Sequence, residues 1–185
     1  AARHGERLAV RTDNDFVSYA GLRELVINHA LHMRAGGIGR ASCVALDSDH
    51  PITATILPLA CTLLGCAWVH ETPVLARNTA LSVTHRVHDR AGDASQGSNI
   101  LRVTQAWMYP PAGMARPDLA AFPGYADPQG TWMIAQSSGT TGEAKFMAYS
   151  EDHSLRYVNK GLSFTVREGG KFTSLFHPLS RPGLL

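Results

Sequence analysis

Between Cys43 and Val69 two short apolar runs flank one long apolar stretch, and this order leaves few architectures open. Cys43-Val44-Ala45-Leu46 reads as a short buried strand. Asp47, Ser48, Asp49 and Pro51 then mark a loop that opens a helix, with Asp49 or His50 near the cap and Pro51 in the first turn. The helix, about Ile52 to Leu64, is apolar nearly all round, which predicts cover on several sides. Gly65 ends it, and Cys66-Ala67-Trp68-Val69 forms a second strand candidate. Strand, helix and strand at this spacing predict a crossover unit in a parallel sheet. The expected fold class is α/β, a mostly parallel sheet flanked by helices.

Upstream, Leu22, Leu25, Val26, Ala30 and Met33 recur at helical spacing, so a helix is expected from about Ser18 to Ala35, capped by Ser18 and stopped by Gly36-Gly37. Downstream, a third helix is expected from Leu75 to Arg90, then a polar loop over residues 91–99 and a strand from Ile100 to Val103. Residues 109–130 carry prolines at 110, 111, 117, 123 and 128 and read as a long connection. Trp132-Met133-Ile134-Ala135 is a further strand.

Hydrophobic residues make up 44% and charged residues 17% of the 185, a globular composition that argues against disorder. The net charge of +2 is scattered, too weak a balance to imply a nucleic acid or a membrane surface as partner. Cys43, Cys61 and Cys66 lie in apolar stretches without paired spacing and read as small buried hydrophobes in a reducing compartment. Ile52 to Val69 is too interrupted for a membrane span, and the first residues lack the apolar middle of a signal peptide. Cytoplasm is the expected location. The first residue is Ala rather than Met, which suggests processing or excision from something longer.

Directly after the Trp132–Ala135 run comes Ser137-Ser138-Gly139-Thr140-Thr141-Gly142-Glu143-Ala144-Lys145. Its glycines let the backbone approach a ligand closely. Its hydroxyls and backbone N–H groups can face phosphate oxygens, and one lysine adds positive charge. A polar surface turn rich in Ser and Thr is the plainer alternative. The Walker phosphate loop is excluded by spacing, because Gly139 and Gly142 are separated by only two residues and Lys145 is followed by Phe146.

The stretch resembles the phosphate loop of the adenylate-forming superfamily, which includes acyl-CoA synthetases, peptide-synthetase adenylation domains and luciferases. Ile134 to Lys145 fits that signature at its fixed positions, with Ala144 for the common proline; Phe146 replaces the usual glycine after lysine and should stiffen the exit from the loop. Val17 to Leu22, Cys43 to Leu46 and Leu64 to Val69 are similar to earlier segments of the family in the same order. The resemblance implies that residues 1–185 are a partial amino-terminal domain, its first subdomain, with the phosphate loop at 137–145 and the carboxy-terminal domain absent.

By that resemblance the substrate is a carboxylic acid, which attacks the α-phosphorus of ATP to give an acyl-adenylate and pyrophosphate. Ser137, Ser138, Gly139, Thr140, Thr141, Gly142 and Lys145 would grip the β- and γ-phosphates. Mg2+ is implied as the nucleotide's counter-ion and CoA as a candidate acceptor. Ser150-Glu151-Asp152 reads as a helix start, with Glu151 in a capping role. His177, in Ser174 to Leu179, resembles a residue bordering the acyl pocket; an ordinary structural histidine is the alternative. His85 and His88, three apart on the expected helix, read as a solvated basic face rather than metal ligands, and His29 and His32 as partly buried. Later family motifs, including those for the ribose and the mobile-domain lysine, are not in the sequence, so the isolated chain is expected to be inactive. Apolar surface left by the missing part would favour a homo-oligomer. Two other readings stay open: a non-catalytic nucleotide-binding or interaction module, and an adenylation domain loading a carrier protein.

Overall fold

The computed structural model describes residues 5–77, 81–90, 99–126, 129–137, 145–150, 152–153 and 156. Among them a short hairpin comes first, β1 (Leu8–Arg11) paired antiparallel with β2 (Phe16–Ser18). Its turn is closed by the Thr12 N–H on the Asp15 carbonyl at 2.8 Å and the Asp15 N–H on Thr12 Oγ1 at 3.0 Å. The sequence reading missed this pair, because strands of three and four residues carry too little alternation to register.

Helix α1 (Tyr19–Ala35) follows at once, and Ser18 caps it by accepting from the Gly21 N–H at 3.1 Å. The main sheet then begins with β3 (Cys43–Asp47), α2 (Pro51–Leu64) and β4 (Ala67–His70). His50 is the cap residue of α2, and Gly65 ends the helix in the left-handed region at φ 65°. There the Gly65 and Cys66 N–H groups reach back to Thr62 and Cys61 carbonyls, both at 3.1 Å. Pro58 sits inside α2, and the Thr62 hydroxyl donates to its carbonyl at 3.0 Å.

The remaining strands are β5 (His85–His88), β6 (Ile100–Arg102), β7 (Thr131–Ser137) and β8 (Lys145–Ser150). The sheet order is β6-β5-β3-β4-β7-β8, parallel throughout except for the antiparallel β7–β8 pair. The class is therefore α/β, as the 43–69 pattern predicts. Alternation along β3 sets two cores. Val44 and Leu46 face the helices and meet Ala30, Leu31, Leu57, Leu64, Trp68 and Val87, while Ala45 joins Val69 and Leu75 on the other face.

Two expectations are corrected. The helix expected over 75–90 is not there among the described residues: Leu75–Arg77 is a 3-10 turn and His85–His88 is the strand β5. The β-branched run Val83-Thr84, with Val87, suits a strand, and β3 supplies the ladder partner through Val44↔His85 to Asp47↔His88. His85 and His88 consequently lie on opposite strand faces rather than on one helical face, and His88 is buried, so they form no solvated basic face. The helix start expected at Ser150 is present: Ser150 ends β8, its hydroxyl accepts from the His153 N–H at 3.1 Å, and Asp152, His153 and Arg156 are helical.

The three cysteines are free; Cys61 and Cys66 are buried and Cys43 half-buried, in line with their reading as small hydrophobes. Burial pushes the Cys43 and Cys61 thiols up, which keeps them protonated. Among the described residues no helix is long and apolar enough to cross a membrane.

The long connection after β6 is a strap of 3-10 turns, Gln105–Met108, Leu119–Ala121 and Pro123–Ala126. It is fastened to α1 by Asn28 Nδ2 donating to the Met108 carbonyl at 2.6 Å and His32 Nε2 to the Tyr109 carbonyl at 2.9 Å. Trp107 is stacked on His32 and meets His29 edge-on.

Candidate functional site

Five parallel strands place their carboxyl ends along one edge of the sheet, the edge where ligands of open α/β sheets bind. β7 runs to this edge. Met133 and Ala135 are buried on the helix side, and Ile134 packs against the opposite core. Trp132 sits edge-on to Trp68, and its indole N–H donates to Thr62 Oγ1 at 2.7 Å, which fixes the strand to α2.

β7 and β8 pair from Thr131↔Ser150 to Ser137↔Lys145. Two residues of the sequence-predicted grip, Ser137 and Lys145, are thus brought together as the terminal pair of the ladder. Residues 138–144 connect them, so Ser138, Gly139, Thr140, Thr141 and Gly142 lie outside the described residues, as does His177. Phe146 follows Lys145 directly, stands opposite Gln136 in the ladder, and packs against the core of Ala45, Val69 and Leu75. A side chain anchored in this way holds the returning strand at its second residue, directly after the lysine.

The sequence reading missed two features of this edge. Gln136, the residue before the loop, accepts a hydrogen bond from Thr72 Oγ1 at 2.8 Å. Farther along, the ends of β3 and β5 are tied together. Asp89 accepts from the Ser48 hydroxyl and, at 3.1 Å, from the Asp49 N–H; Arg90 contacts Asp47 at 3.0 Å and Asp49 at 3.3 Å. Burial raises the Asp47 carboxyl, against the lowering by Arg90. These residues recur at no spacing that a single-sequence reading can find, because strand pairing over some 40 positions assembles them. Among the described residues no group of three or more His, Cys, Asp or Glu side chains converges to hold a metal ion.

No family model matches the sequence, and no curated protein is similar to it at the sequence level. Solved structures do match. O-succinylbenzoate coenzyme A synthetase (MenE) from Bacillus subtilis, in complex with AMP, superposes with a TM-score of 0.76 at 18% identity, over 98% of this chain and 49% of that one. The same enzyme with ATP and a magnesium ion gives 0.76 at 17% identity, over 98% and 50%. The chain has the fold of the amino-terminal subdomain of adenylate-forming enzymes.

The amino-terminal subdomain of NpsA from Klebsiella oxytoca, in complex with 3-hydroxybenzoyl-AMSN, matches with a TM-score of 0.66 at 18% identity, over 83% of this chain and 38% of that one. At these identities the likeness is one of fold. The chain spans about half the length of the MenE chains it matches.

Proposed function

We propose that this chain is the amino-terminal part of an ATP-dependent carboxylate-activating enzyme. In this reading a carboxylate oxygen attacks the α-phosphorus, the bond from that phosphorus to the bridging oxygen breaks, and pyrophosphate leaves. An acyl-adenylate remains, and a thiol such as that of CoA then takes the acyl group and releases AMP. The observation that carries the reading is the position of the Ser137–Lys145 motif. It spans the β7–β8 hairpin at the carboxyl edge of a parallel sheet, in a fold whose solved examples hold AMP, ATP or an acyl-adenylate.

The roles follow from charge and geometry. Gly139 and Gly142 let the backbone come close to the polyphosphate, and Ser137, Ser138, Thr140 and Thr141 supply hydroxyl donors. Lys145 offsets charge that builds on pyrophosphate as it leaves. Magnesium bound to the nucleotide would offset part of the same charge. His177 borders the acyl pocket. The enzyme acts in the cytoplasm, and its adenine, ribose and acyl sites are completed by residues outside these 185.

The test has two parts. Titration of the 185-residue chain with inorganic pyrophosphate and magnesium, followed by NMR, should show binding that Lys145→Met weakens about ten- to hundredfold, the range for a lost charge-assisted hydrogen bond. The native polypeptide carrying this sequence should catalyse ATP–pyrophosphate exchange that depends on a carboxylic acid, whereas the 185 residues alone should not. Absence of pyrophosphate binding, with no acid-dependent exchange by the native polypeptide, would overturn the proposal.

A further inference from the structure

The carboxyl end of β7 projects past its neighbour. β4 and β7 are paired through Trp68↔Met133 and Val69↔Ile134, and β4 then ends at His70. There the chain turns away, and the Glu71 N–H goes to the Leu46 carbonyl of β3 at 2.8 Å. Ala135, Gln136 and Ser137 keep their ladder with β8, but no described residue of β4 is paired with them. On that side the hydroxyl of Thr72 reaches across and donates to Gln136 Oε1 at 2.8 Å.

Thr72 Oγ1 itself accepts the Leu75 N–H at 3.1 Å, which closes the turn beginning at Thr72. Leu75 is 2% exposed and belongs to the core against which Phe146, the second residue of β8, is packed. Both strands at the root of the 138–144 connection therefore rest on one short segment. Gln136 is held to it by a hydrogen bond and Phe146 by apolar contact.

We propose that Thr72 is a positioning residue for the nucleotide loop, acting through Gln136 to set where the backbone of Ser137 leaves the sheet. The inference rests on the reading of Ser137–Lys145 as a polyphosphate grip. A loop that binds through its own N–H groups and short hydroxyls depends on the placement of its root, since a displacement of about 0.5 Å misaligns several donors together. Thr72 touches no phosphate, and its effect passes wholly through the side chain of Gln136.

The test uses the 185-residue chain with inorganic pyrophosphate and magnesium as the probe, titrated by NMR, with thermal melting recorded for each variant. Thr72→Val and Gln136→Leu should each weaken binding about three- to tenfold, the range for one neutral hydrogen bond. Gln136→Leu leaves the Thr72–Leu75 turn bond in place, so a loss shared by both variants belongs to the clamp and not to the turn. Their combination should bind no more weakly than either alone, and Thr72→Ser should bind as the wild type does. Unchanged affinity in the two single variants, at a temperature where both are folded, overturns this inference and leaves the nucleotide-loop reading standing. Strictly additive losses in the double variant also overturn it. Failure of the wild-type chain to bind pyrophosphate overturns this inference, and the nucleotide-loop reading falls with it when the native polypeptide also shows no acid-dependent exchange.

Discussion

His29 illustrates how one buried side chain can set the acid limit of the fold. It is 3% exposed, its Nδ1–H donates to the Leu25 carbonyl at 2.8 Å, and its ring meets Trp107 edge-on at 5.4 Å. Burial is the main cause that lowers its pKa from 6.5 to about 4, with the neighbouring His32 adding to the shift and the bond to Leu25 opposing it. Between these values the unfolded chain binds more protons than the folded one, so stability rises with pH through that window. The contribution is complete above about pH 6.5 and is lost as pH falls towards about 4, about 3 kcal/mol if the whole shift is realised. Urea unfolding midpoints at pH 7.5 and pH 5 should therefore differ clearly for the wild type. They should converge in His29→Phe, which keeps a flat ring against Trp107 and cannot take a proton. An acid limb of unchanged steepness in that variant would show that other groups set it.

At the scale of elements, the strap over residues 104–126 is what closes the helix layer. Its Gly124 passes so close to α2 that a Cβ there would lie 1.6 Å from the Thr62 carbonyl oxygen and 2.8 Å from that of Leu63. Both are backbone atoms, so neither can swing aside, and Gly124→Ala should cost about 3 kcal/mol or abolish folding, measured by urea denaturation. A melting profile within a degree or two of the wild type would show that the strap can lift. The β3–α2–β4 unit was legible because its signals are local: Pro51 at the helix start, Gly65 at its end and apolar runs of strand length between turn residues. The strap was legible only as a connection, since its prolines say where regular structure stops and not what the segment covers. β5 was misread because Leu75 to Arg90 carries few breakers, and its strand state is imposed by pairing with β3. The candidate loop is proposed from local residues, Gly139, Gly142 and Lys145, which stand close together in the sequence. The clamp beside it was not legible, because a threonine and a glutamine 64 positions apart announce nothing until β4 and β7 lie side by side.

At the scale of the whole molecule, the order in which strands join the sheet differs from the order in which they are made. β4 occupies an inner position, yet its second neighbour, β7, begins only at Thr131, after β5, β6 and the strap. A nascent chain leaving the ribosome therefore carries the open edge of Trp68 and Val69 through the synthesis of all the intervening residues. An unpaired strand edge of that composition is a template for pairing between chains. A chain ending at residue 126 should accordingly collect in the insoluble fraction on expression, and one ending at residue 156 should partition further into the supernatant; equal partitioning would argue that the strap shields the edge by itself. Because the strand that seals this edge also carries the root of the candidate phosphate grip, a polypeptide stalled before β7 lacks the grip altogether, and completion of the sheet and acquisition of its phosphate chemistry fall in the same short interval of translation.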